Sequence, residues 1–135
     1  FTRYIGQGGP AYVERIKLTP DEAVDLILKS GGLPVLAHPS TINGAEKVIS
    51  RLAARGLVGL EAYYKDYTDE QRHDMVKLAS RYKLIATGGS DFHGIDETTE
   101  VMLGDARVPQ ECAENLLRVA RERGVKLPAQ FNRGL

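Results

Sequence analysis

Gly88-Gly89-Ser90-Asp91-Phe92-His93-Gly94 places a carboxylate and an imidazole in one glycine-framed loop. Glycine lets the backbone turn sharply and approach a bound group closely. Aspartate and neutral histidine are ligands for zinc, manganese and iron. The loop follows Leu84-Ile85-Ala86-Thr87, an apolar run that reads as a buried strand, and a second run, Leu33 to Ala37, ends in His38-Pro39. A third, Leu57 to Tyr63, carries Glu61 near its end. His38, Glu61, Asp91 and His93 therefore fall at the C-terminal ends of three successive strands, where α/β folds collect their functional groups.

Each of these residues also has a plainer reading. His38 could cap a turn, with Pro39 as a strand terminator, and Ser90-Asp91 is a common turn pair. His93 could be a surface histidine. Glu61 could simply accept a hydrogen bond from a backbone amide or a neighbouring side chain. His73 lies among Glu70, Gln71, Arg72 and Asp74 and reads as solvated. Cys112 opens a helix with no histidine nearby in sequence and reads as a structural thiol. Gly6-Gln7-Gly8-Gly9-Pro10 lacks the Lys and Ser/Thr of a P-loop and reads as a loop; Arg3 and Lys17 beside it could meet a substrate phosphate.

The elements that must position these groups alternate. Thr19-Pro20-Asp21-Glu22 is a helix start, with Thr19 as cap and Glu22 completing a capping box. Ala23, Leu26 and Ile27 give that helix an apolar stripe, and Gly31-Gly32 ends it. Asn43 with Glu46 predicts a second cap, for a helix that turns Val48, Ile49, Leu52 and Ala53 inward and stops at Gly56. Thr68 with Gln71 caps a third, whose buried side holds Met75, Val76, Leu78, Ala79 and Tyr82. Val101-Met102-Leu103 predicts an edge element. Gln110 to Arg123 reads as a last helix with Ala113, Leu116, Leu117 and Ala120 at helical spacing. Strands that are apolar throughout, alternating with helices, indicate an α/β fold of parallel strands covered by helices.

Composition sets the outer bounds. The 135 residues suffice for one domain with a core, and 42% hydrophobic with 27% charged residues is ordinary for a globular protein. Lys and Arg balance Asp and Glu at 18 each, so no strongly basic surface is predicted and no DNA binding is expected. A single cysteine excludes an internal disulfide and fits a reducing, cytoplasmic compartment. No apolar run approaches the roughly 18 residues of a membrane span, and no signal peptide is visible. Phe1-Thr2-Arg3-Tyr4-Ile5 reads as mid-protein sequence, so the chain is expected to be a piece of something longer.

Leu36-Ala37-His38-Pro39, then Gly59-Leu60-Glu61-Ala62-Tyr63-Tyr64, then the Gly88–Gly94 loop, in that order and spacing, resemble the C-terminal half of PHP (polymerase and histidinol phosphatase) domains. Within that superfamily they look most like the TrpH-like metal-dependent phosphoesterases. The likeness spans about residues 1–125. It implies the C-terminal part of a distorted (β/α)7 barrel: residues 1–18 before the later strands, 19–127 in the barrel, 128–135 a tail. It also implies two or three divalent ions (Mn, Fe or Zn) on the rim, activating a hydroxide that attacks phosphorus. Carried over position by position, His38, Asp91 and His93 match metal ligands and catalytic positions. Glu61 matches a strand-end position, and Arg3 with Glu61 is assigned to substrate. The family's earlier motifs are absent, and no histidine precedes His38. The expected parent is a phosphoesterase acting on a phosphorylated small molecule, nucleotide or short RNA. Another metal-dependent hydrolase of amidohydrolase type, or a non-catalytic remnant used for assembly, are the alternatives. Alone, the chain is expected to be inactive and to pair with its missing N-terminal half or with itself.

Overall fold

The computed structural model describes residues 2–14, 17–94 and 102–131. Helices α1 (Thr2–Ile5) and α2 (Pro20–Lys29) lead into strand β1 (Val35–Leu36). Helix α3 (Ala45–Arg55), strand β2 (Gly59–Tyr64), helix α4 (Asp69–Arg81), strand β3 (Ile85–Gly89) and helix α5 (Gln110–Glu122) follow. The three strands form one parallel sheet in the order β1-β2-β3. This is the helix-covered parallel arrangement that the alternation predicts.

The capping chemistry explains where two helices start. Thr19 and Glu22 make both bonds of a capping box on α2, and Thr68 and Gln71 do the same on α4. The expected box at Asn43 does not form. Gly44, at φ +69, takes the cap position of α3 with no side-chain hydrogen bond, and Glu46 instead accepts from Arg81 and the Tyr82 hydroxyl. The α3 start is thereby tied to the end of α4. Gly56 ends α3 at φ +110, as expected.

Ile49 and Leu52 of α3 and Leu60 of β2 are almost fully buried and form the centre of the core with Val24, Leu57, Ala79 and Leu84. Each such side chain contributes on the order of 1.5–3 kcal/mol by leaving water. The stripe expected on α2 is wrong. Val24 is buried and Leu28 packs on the core, whereas Leu26 and Ile27 are exposed. This helix packs against α3, so the i, i+4 pair Val24 and Leu28 faces inward. Arg55 of α3 closes the same seam through a bidentate pair with Asp25, which holds the Asp25 carboxyl below its ordinary range.

Other differences are local. On α5, Cys112 and Ala120 are buried while Ala113 is exposed. Met102 and Leu103 are exposed and form no strand; Val101 lies outside the described residues. Ala129–Phe131 form one 3-10 turn in the expected irregular tail, whose residues 132–135 also lie outside the description.

One irregularity sits beside the candidate residues. Glu61 pairs with Thr87 and Tyr63 with Gly88, so Ala62 is an extra residue in β2. Such a bulge re-aims the side chains that follow it. It brings the Tyr63 backbone against Gly88, where an added Cβ would sit 2.3 Å from the Tyr63 carbonyl oxygen.

Candidate metal centre at the strand ends

The residues two beyond β1 and two beyond β3 share an unusual backbone. His38 has φ 47 and Asp91 has φ 53, both left-handed. Non-glycine residues adopt this region at a cost of order 1–3 kcal/mol, and such residues cluster at functional sites. Among the described residues Lys83, at φ 55, is the third, and there the conformation has an ordinary cause: it follows the C-terminus of α4.

The strain at His38 is held by its surroundings. Its N–H donates to Glu61 Oε2 at 2.9 Å, and its carbonyl accepts from the Thr41 hydroxyl at 2.8 Å. Glu61 thus makes the backbone contact that its plainer reading allowed, at the residue that carries the imidazole. His38 Nε2 lies 3.7 Å from Glu61 Oε2 and 3.6 Å from Asp91 Oδ1. These separations exceed a hydrogen bond. They approach the spacing of about 3.4 Å between two donors that share a cation at bond lengths near 2.1 Å in tetrahedral geometry.

Two tyrosines complete the cluster. The Tyr64 hydroxyl donates to Asp91 Oδ2 at 3.1 Å, and its ring lies 5.0 Å from the His38 ring. Burial, followed by the hydrogen bond and charge of Asp91, pushes this phenol up to about 12, so at neutral pH it remains a donor. Tyr67 packs edge-on to Tyr64 and bonds Ser40 through its hydroxyl at 2.9 Å, tying the turn after His38 to the loop after β2. Sequence reasoning assigned neither tyrosine a role. The available signal for Tyr64 was its place three residues after Glu61, on a strand whose end was already suspected, whereas Tyr67 lies beyond that strand. Replacing Tyr64 with Phe is expected to lower metal affinity about 10–100-fold, the usual effect of removing a partner that orients a ligand. Calorimetric metal titration of Tyr64→Phe checks this; unchanged affinity would mean that Asp91 needs no such support.

The structure brings together His38, Glu61 and Asp91. His93 lies on the same loop, with Nδ1 2.6 Å from the Asp91 carbonyl oxygen. Donation from Nδ1 to that carbonyl places the ring lone pair on Nε2. Arg3 is exposed on α1 with its guanidinium 5.8 Å from the Tyr4 ring centroid. The donor types suit a divalent cation, but among the described residues no group of three His, Cys, Asp or Glu is placed to hold one. The residues fit such an ion in kind and fall short in number.

The described α/β arrangement has counterparts among solved structures. A structure described as a metal-dependent phosphoesterase from Bifidobacterium adolescentis superposes with a TM-score of 0.68 at 27% identity, covering 89% of this chain and 42% of that one. In sequence, a phosphoribosyl 1,2-cyclic phosphate 1,2-diphosphodiesterase of Eggerthella lenta is 40% identical over 73 residues, 54% of this chain and 28% of that protein. A 3',5'-nucleoside bisphosphate phosphatase of Chromobacterium violaceum is 33% identical over 101 residues, 72% and 35% of the two chains. The chain is PHP-like. The 5'-3' exoribonuclease Rnm of Escherichia coli agrees, at 34% identity over 97 residues, 69% of this chain and 33% of that one. An amidohydrolase structure from Chromobacterium violaceum, with bound sulfate and no metal, matches with a TM-score of 0.56 at 29% identity over 84% of this chain and 43% of that one. No family model matches. The PHP-like chain spans about a third of the length of the curated relatives it matches. Among its described residues no helix is long and apolar enough to cross a membrane.

Proposed function

We propose that this chain supplies the later strands of a divalent-metal-dependent phosphoesterase. The observation that carries the reading is the meeting of His38, Glu61 and Asp91 at the ends of adjacent parallel strands. They meet in a chain whose relatives are named a phosphodiesterase, a phosphatase and an exoribonuclease. His38, Asp91 and His93 would help to hold the cation. Glu61 positions His38, and Tyr64 positions Asp91. When bound, such a cation supplies Lewis-acid polarisation of a phosphoryl group and neutralises charge that develops in the transition state.

The remaining ligands come from outside the described residues, and an N-terminal segment or a second copy is the source we propose. A catalytic metal takes about three protein ligands, and the described residues do not converge as such a set. The substrate is a phosphate ester of nucleotide type, and manganese, iron and zinc all suit His with carboxylate.

The amidohydrolase described among the solved structures supports a second reading, hydrolysis of an amide. An assay with Mn²⁺ separates the two, using the chain co-expressed with the preceding segment of its own gene. Phosphate release from nucleotides with no cleavage of acyl amides is expected. Amide hydrolysis without phosphate release would overturn the reading.

A further inference from the structure

Tyr67 lies between β2 and α4 and is buried, at 6% exposure. Both parts of its side chain are engaged. The hydroxyl donates to Ser40 Oγ at 2.9 Å and accepts from the Ser40 N–H at 3.4 Å. The ring packs edge-on against Tyr64, with centroids 5.3 Å apart. A buried phenol needs a partner for its hydroxyl, and Ser40 supplies both an acceptor and a donor.

The backbone that carries this side chain is itself fixed. The Tyr67 N–H donates to the Tyr64 carbonyl at 3.1 Å, and the next residue, Thr68, caps α4. The capping box ties that helix start in both directions. Tyr67 is therefore a short arm reaching out from a firm anchor. Two candidate ligands depend on what it holds. Ser40 stands two residues beyond His38, in the 3-10 turn Pro39–Thr41 that the left-handed His38 opens. Tyr64 is the donor to Asp91 Oδ2, and its ring also lies 5.0 Å from the His38 ring. One side chain thus holds the His38 turn through its oxygen and the support of Asp91 through its ring.

We propose that Tyr67 is a positioning residue, which sets the placement of His38 relative to Asp91 by holding Ser40 with its hydroxyl and Tyr64 with its ring. The consequence for metal binding rests on the phosphoesterase reading; the placement of the two side chains does not. Hydroxyl and ring act on different ligands, so they can be removed separately. Losing the hydroxyl frees the turn at His38. Losing the ring also frees Tyr64, and with it Asp91.

Proton–carbon NMR of the 135-residue chain in EDTA reads the placement without metal, because the Tyr64 ring current acts on the His38 ring protons. Tyr67→Phe and Ser40→Ala are expected to move the His38 signals in the same direction. The double variant moves them no further, since both changes remove one shared contact. Ser40→Thr keeps a hydroxyl and keeps the parent spectrum. Tyr67→Leu also moves the Asp91 carboxyl carbon, which Tyr67→Phe leaves in place. Tyr82→Phe removes a tyrosine hydroxyl bonded to Glu46 at 3.1 Å and leaves both sets of signals unmoved. In the chain co-expressed with its preceding segment, Mn²⁺ affinity falls about three- to tenfold in Tyr67→Phe, the range for one hydrogen bond. It falls about 10–100-fold in Tyr67→Leu. If the leucine variant does not fold, Tyr67→Phe, which keeps the buried ring, decides. His38 signals that stay in place in Tyr67→Phe, or that move equally in Tyr82→Phe, overturn the proposal. So do additive effects of Tyr67→Phe and Ser40→Ala, or unaltered Mn²⁺ affinity in Tyr67→Phe beside a parent that binds. The expected shifts in a protein whose complemented parent takes up no Mn²⁺ would uphold the positioning role and remove the metal reading instead.

Discussion

Asp91→Asn lowers the phosphoesterase turnover of the metal-loaded, complemented protein by about 10³-fold, within the range for losing a group that acts directly on the reaction. Asparagine tolerates the left-handed backbone that Asp91 adopts at φ 53 and still accepts a hydrogen bond from Tyr64. The fold should therefore survive while the charge is lost. The carboxylate stands between two groups, with Oδ1 3.6 Å from His38 Nε2 and Oδ2 bonded to Tyr64. A neutral amide in that position offers a cation a much poorer ligand. Steady-state kinetics with a parallel thermal melt check the claim. A variant that melts like the parent and retains more than a tenth of its turnover would show that Asp91 is a turn residue, as its plainer reading holds.

Gly88→Val costs about 3 kcal/mol or more of stability and lowers the melting temperature by about 10 °C. A Cβ at this position would lie 2.3 Å from the Tyr63 carbonyl oxygen and 2.5 Å from its Cβ. Most of what it meets is backbone of the neighbouring strand, held by the β2–β3 ladder, so no rotamer change relieves the contact. The next residue supplies the comparison. A Cβ on Gly89 would meet nothing within 4 Å, so Gly89→Ala should stay within about 1 kcal/mol of the parent. Urea denaturation of both variants measures the difference. Equal small losses would mean that the bulge at Ala62 can be undone cheaply.

The parts of the fold that depend on near neighbours in sequence were legible. Thr19 with Glu22, Thr68 with Gln71, and Gly56 each act within one turn of a helix, and each marks the boundary it predicts. The same signal at Asn43 and Glu46 misled because a distant group competed for it: Arg81 and Tyr82 draw Glu46 away from the helix start. The face of α2 was unreadable for a different reason. Ala23, Val24, Leu26, Ile27 and Leu28 spread over more than half of that helix's circumference, so the position of α3 decides which of them is buried.

The candidate site divides in the same way. His38 and Asp91 could be placed on one rim because each follows an apolar run that becomes a strand of the parallel sheet, and Glu61 because it lies on the strand between them. Their mutual orientation was not legible. It depends on two left-handed residues, on a bulge whose cause lies on the neighbouring strand, and on a tyrosine that reaches across 27 residues to Asp91. Arg3 was linked to a substrate phosphate only through its place near a glycine-rich run, and the structure shows its guanidinium beside the ring of Tyr4.

Titration of Mn²⁺ by electron paramagnetic resonance tests the central claim most directly. It is run on the 135-residue chain alone, on the chain with its co-expressed N-terminal segment, and on His38→Ala in that complemented form. Tight stoichiometric binding only in the complemented protein, lost in His38→Ala, is the predicted result. Stoichiometric binding by the chain alone would contradict the claim that its ligand set is incomplete, and complemented binding that survives His38→Ala would place the metal somewhere other than the strand ends.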